Sequence, residues 1–167
     1  MPKTRTQYLT NELIQAIENQ LTRIDGVKRL LGKLRNEPWR GGRKEAVIFH
    51  AEMALMYHRR GQLVAIERFE IINGKRCFLD LIVKELKENE TPEIIVEVKN
   101  WSGWPRWSVR TQLKRQINLE RQILKYVASG RFVRVEFKGF IPDKVRSSPI
   151  FKQLMEQNKI ELVAVSN

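Results

Sequence analysis

Three charged residues stand where a sequence rarely spends charge. Asp80 interrupts the apolar run Arg76-Cys77-Phe78-Leu79-Asp80-Leu81-Ile82-Val83, and Glu97 and Lys99 interrupt Ile94-Ile95-Val96-Glu97-Val98-Lys99. Both runs read as β-strands. Side chains alternate faces along a strand, so Glu97 and Lys99 share one face while Val96 and Val98 take the other. Charge inside an apolar strand is costly unless a partner or a metal meets it. Two carboxylates converging from neighbouring strands would form a hard, oxygen-rich pocket suited to Mg²⁺, with Mn²⁺ as a substitute.

The elements that must position these residues follow from the pattern. Residues 9–34 read as a helix broken near Gly26, with Thr10 as N-cap and apolar positions at Leu13, Ile14, Ile17, Leu21, Ile24 and Val27. Residues 36–43, with Pro38 and a glycine pair, read as a loop. A second helix is expected over 44–60, ended by Gly61. Strands are expected over 63–71, 76–83 and 93–99, with Asn73-Gly74 as a hairpin turn and 84–92 as a charged connection. Residues 101–107 read as a loop. Ser108 then caps a helix to Val127, closed near Gly130, before a strand over 132–137, a short helix over 149–157 and a strand over 160–165. This order predicts an α/β fold: a central mixed sheet flanked by helices, with an antiparallel hairpin and a parallel crossover.

The 167 residues suit one domain, divided into an N-terminal helical arm (1–43), a core (44–138) and a C-terminal helix and strand (139–167). Lys and Arg number 31 against 19 Asp and Glu, a net charge of +12. The excess is uneven. Residues 1–45 carry a surplus of five and residues 100–152 a surplus of nine, around a nearly neutral centre that holds nine of the 19 acidic residues. Basic flanks about a few acids suggest a phosphate backbone held on either side of a local chemical site. The lone Cys77 excludes a disulfide framework and a Cys-based zinc site within one chain. No apolar run approaches the ~20 residues of a membrane span, and residues 1–13 lack the apolar core of a secretory leader. A cytoplasmic setting without membrane contact is expected.

With Asp80 on one strand of a hairpin and Glu97-Val98-Lys99 on the next, the sequence resembles the PD-(D/E)xK nuclease superfamily, the restriction-endonuclease-like fold. The family order of helix, three strands, helix and strand matches residues 44–138. Leu79 stands where the family name has proline, and 84–92 is a generous connection. The resemblance implies that Asp80, Glu97 and the Val98 carbonyl bind one or two divalent ions, and that Lys99 orients the attacking water. It also implies a role for Glu52, in His50-Ala51-Glu52-Met53-Ala54, as the acid on the preceding helix, and for Gln122 in Gln122-Ile123-Leu124-Lys125-Tyr126. The activity implied is a Mg²⁺-dependent DNA endonuclease, junction-resolving or site-specific, working as a homodimer.

The basic helix offers Arg110, Lys114, Arg115, Arg121 and Lys125 to phosphates, Arg106 stands just before it, and Arg40 and Arg43 precede the Glu52 helix. Trp104 and Trp107, in Trp101-Ser102-Gly103-Trp104-Pro105-Arg106-Trp107, would stack on bases or else pack into the core. Two rival readings remain: an RNase toxin domain of the same fold, and a non-catalytic basic nucleic-acid-binding protein.

Overall fold

Asn73 and Gly74 both take positive φ, 50° and 76°, and form the tight turn that this dipeptide favours. The turn joins β1 (Leu63–Ile72) antiparallel to β2 (Lys75–Val83), which pairs antiparallel with β3 (Ile94–Lys99). From β3 the chain crosses through α4 (Val109–Val127) to β4 (Phe132–Lys138), parallel to β3, and β5 (Ile160–Val165) runs parallel to β4. The computed structural model describes residues 4–36, 42–85 and 92–166. Its mixed sheet has the order β1-β2-β3-β4-β5. The expected α/β class, with helices on both faces, is what the structure has.

One face is covered by α1 (Arg5–Gln20), α2 (Val27–Asn36) and α3 (Gly42–Arg59), whose Ile17, Leu30, Leu34 and Ala54 pack with Ile66, Leu81, Val83 and Val96. The other is covered by α4, α5 (Asp143–Arg146) and α6 (Pro149–Glu156), with Leu119, Ile123, Val145 and Phe151 among Leu79, Ile95, Val133 and Phe137. Among the described residues no helix is long and apolar enough to cross a membrane.

Two details correct the sequence reading. The first helix starts at Thr4, not Thr10: Thr4 and Gln7 form a reciprocal capping box, which begins the helix a turn and a half early. Thr10 is instead buried mid-helix, its hydroxyl donating to the Thr6 carbonyl at 2.8 Å. The break near Gly26 is real and its cause is tertiary. Gly26 has φ 88°, and a Cβ there would fall 1.6 Å from the Ile66 carbonyl oxygen, because the connector lies against β1. The Ile66 N–H donates to the Asp25 carbonyl at 2.8 Å, covering part of that edge strand. The short α5 was not expected from the sequence.

Candidate functional site

Register brings the two carboxylates together. Leu81 faces Val96 and Ile82 faces Ile95 across β2 and β3, so one further step sets Asp80 opposite Glu97. Asp80 does not continue the regular pleat. Leu79 and Ile82 both lie in the α4-side core while Leu81 lies in the α3-side core, so the face alternation slips at Asp80. β1 slips at the same level, where Glu67 takes φ 46°. A non-glycine residue in that region stores on the order of 1 kcal/mol or more of strain. The slip turns the Asp80 carboxylate toward β3, where Oδ2 accepts the Val98 N–H at 2.9 Å.

Glu97 is only 2% exposed and points to the α4 side, with Oε1 3.0 Å from Lys99 Nζ. Its Oε2 is buried and has no hydrogen-bond partner among the described residues. Burial, and then the Asp80 charge, push the Glu97 carboxyl up to about 8. For Lys99, burial pulls the ammonium pKa down, but Glu97 and Asp80 outweigh it and hold it above its ordinary value. Lys99 therefore stays charged. Tyr126 backs the pair from α4; burial, Glu97 and Asp80 all raise its phenol, which keeps its proton. The Gln122 amide donates to the Tyr126 hydroxyl at 2.7 Å, the one-turn contact that the Gln-x-x-x-Tyr spacing predicts. A cavity of 170 Å³ opens over Lys99, lined by Trp101, Arg115, Asn118, Leu119 and Gln122.

Glu52 is a correction. It is exposed on the side of α3 that faces α1, beside Leu9, Glu12 and Arg59, and does not join Asp80 and Glu97. Two residues along a helix turn the side chain by about 200°, so His50, not Glu52, faces the sheet. His50 Nε2 lies 2.9 Å from the Asp80 carbonyl oxygen, and Nδ1 lies 4.0 Å from the buried Glu67, which also pairs with Lys33. Sequence reasoning passed over both. His50 has no partner at metal-ligand spacing in the sequence, and nothing in the local pattern singles out Glu67.

For Trp104 the structure takes the packing alternative and not the stacking one. Trp104 is buried, stacked on Trp101 with ring centroids 5.3 Å apart, and Trp101 in turn meets Phe137 edge-on. The loop closes over itself through a 3-10 turn (Trp104–Arg106) and over Gly103, where a Cβ would come 2.8 Å from Trp107 Nε1. Trp107 is half-buried under the Arg115 guanidinium, 4.3 Å from its ring centre. Neither ring is presented for stacking on bases. Arg43, Arg106, Arg110, Lys114 and Arg121 are exposed, Lys125 is half-buried, and Arg40 lies outside the described residues.

Among the described residues no third His, Cys, Asp or Glu joins Asp80 and Glu97 in a cluster able to hold a metal. Chemically, the site is a pair of opposed carboxylates with one ammonium, one phenol and one unsatisfied oxygen. Compared with protein-family models, curated proteins and solved structures, the chain matches none.

Proposed function

We propose that the chain is a Mg²⁺-dependent endonuclease hydrolysing phosphodiester bonds of DNA, as its likeness to the PD-(D/E)xK pattern implies. One observation carries this reading: Asp80 and Glu97 are opposed across two strands, with a buried, unpartnered oxygen on Glu97 and Lys99 3.0 Å from the other. The residues fit a hard divalent ion. Asp80, Glu97 and the Val98 carbonyl would hold it, and two carboxylates suffice for Mg²⁺, which keeps several waters and takes further oxygens from substrate phosphates. When bound, such an ion supplies positive charge against phosphoryl oxygens and lowers the pKa of water.

The protein's own groups do the rest. Lys99, held charged beside Glu97, orients the incoming water and offsets charge that grows on the phosphate. Tyr126 and Gln122, fixed on each other, form the wall behind Glu97. The net charge of +12 draws a polyanion to the site, and DNA is the substrate it favours. Cutting both strands takes two such sites, which favours a homodimer.

The test is incubation with supercoiled plasmid, a four-way DNA junction and total tRNA, in Mg²⁺ and in EDTA. The expected result is Mg²⁺-dependent DNA cleavage that falls at least about a hundredfold in Asp80→Asn. Cleavage of tRNA alone would replace DNA by RNA as the substrate. No Mg²⁺-dependent cleavage of any of the three would overturn the proposal.

A further inference from the structure

We infer that the trough between the β1–β2 turn and the C-terminal half of α4 holds the sugar–phosphate backbone of a nucleic-acid strand on its way to Lys99, without stacking or reading its bases. The direction of the strand rests on the nuclease reading; the binding itself does not.

Four α4 residues, Asn118, Arg121, Gln122 and Lys125, fall at i, i+3, i+4 and i+7 and so form one stripe along the helix. Asn73 and Lys75, at the hairpin turn, close the opposite wall of a 590 Å³ groove. Asn118 and Gln122 also line the small cavity over Lys99, so the groove and that cavity adjoin across these two side chains. The groove therefore leads toward Lys99.

Its charge is one-sided. Lys75, Arg121 and Lys125 line it, and among the described residues no carboxylate does. Among the described residues none of these three lies in an ion pair, whereas Arg68 pairs with Glu93, Arg131 with Glu70, and Arg134 with Glu161 and Glu85. Unpaired cations along a groove suit successive phosphates, and the amides of Asn73, Asn118 and Gln122 add neutral donors of the kind that contact phosphate and sugar oxygens.

The chemistry of the lining also says which part of the strand sits there. Strands bound through their bases use aromatic platforms. Among the described residues no aromatic side chain lines this groove, and its apolar members are Leu124 and Ala128. The tryptophans beyond it are packed on one another and under Arg115. Backbone contact independent of sequence is what remains.

The test is equilibrium binding of a fluorescein-labelled 16-mer of single-stranded DNA, and of the same oligomer with abasic sites, by the full chain in EDTA across a salt series. Lys75→Glu with Arg121→Glu should weaken binding at least tenfold and flatten the log–log salt slope by about 1.4, the share of two phosphates on a single strand. A control with the same charge change, Arg146→Glu with Lys152→Glu on exposed α5 and α6 positions, should stay within threefold of the unchanged protein. The abasic oligomer should also bind within threefold. Equal losses in the two variants, or a tenfold loss with the abasic strand, would overturn the inference. Cleavage scored separately keeps the two ideas apart. A groove variant that binds normally while Mg²⁺-dependent cleavage is present in the unchanged protein sinks the groove alone. Binding lost in that variant, with no cleavage by any form, sinks the nuclease and leaves the groove.

Discussion

Glu97 on β3 and Glu136 on β4 sit on adjacent parallel strands, one register step apart, and leave the sheet on opposite faces. Both are buried, burial raises both carboxyl groups, and each has one oxygen without a partner among the described residues. The difference lies in what stands beside them. Glu136 accepts a hydrogen bond from the Tyr57 hydroxyl, and its strongest charged neighbour is Arg134. That arginine reaches Tyr57, Glu161 and Glu85, and the two acids extend to solvent. The strongest charged neighbour of Glu97 is another carboxylate, Asp80, with Lys99 next. Burial is common to both carboxylates; the sign of the neighbouring charge is what separates them. The Glu136 cluster carries its own counter-charge in Arg134, whereas the Glu97 carboxylate meets a second carboxylate beside one ammonium.

One helix serves both clusters. His50 bonds the Asp80 carbonyl, and Tyr57, seven residues on along the same face of α3, bonds Glu136. The contrast is therefore between two charge arrangements in one rigid frame.

Removing the counter-charge from the self-sufficient cluster should have the largest effect on stability. Arg134→Met leaves Glu136 buried beside Glu161 without its guanidinium, and should cost about 3 kcal/mol in urea unfolding. Below the transition it should leave Mg²⁺-dependent cleavage within twofold. A loss of cleavage with little loss of stability would erase the distinction between the clusters.

The Glu97 pair should show itself through pH. Its folded carboxyl titrates at about 8, above the ordinary value of 4.5, so the native state binds the proton more tightly than the unfolded chain does. The stability that this contributes is full below about pH 4.5 and is lost as pH rises through about 8. Metal-free protein should therefore melt at progressively lower temperature from pH 5 to pH 8.5. Glu97→Gln should flatten that slope, and Mn²⁺ should restore the melting temperature at pH 8, because metal binding takes the place of the proton. A slope unchanged in Glu97→Gln would assign the titration to another group.

The smallest effect belongs to the link between the clusters. His50→Ala removes the ring nitrogen that holds the Asp80 carbonyl, and should cost about 1 kcal/mol by the same unfolding measurement. No change would mean that β3 alone holds Asp80 in place, through the Val98 N–H.

Much of this frame was legible in the sequence because it rests on local rules. Asn73-Gly74 fixed the hairpin, Ser108 capped α4, and strand alternation put Glu97 and Lys99 on one face. Asp80 was conspicuous as a charge in an apolar run. What sequence could not supply depends on three-dimensional meeting. Which α3 residue faces the sheet is settled by the packing of α1 against α3, and this turned Glu52 outward and His50 inward. The slip at Glu67 and Asp80 leaves no trace in a hydropathy pattern. The tryptophan loop carried signals for both stacking and burial, and the closeness of Gly103 to Trp107 settled it for burial. Lys75 joins the groove only because the hairpin lies against α4, a tertiary contact that the local pattern does not carry.

Cleavage by two variants that remove the same charge from opposite faces of the sheet tests the central claim most directly. With supercoiled plasmid and Mg²⁺ at pH 7.5, Glu97→Gln should be inactive while Glu136→Gln retains the unchanged protein's rate within about threefold, both remaining folded by circular dichroism. Undiminished cleavage by folded Glu97→Gln would contradict the assignment of Asp80 and Glu97 as the site of phosphodiester hydrolysis.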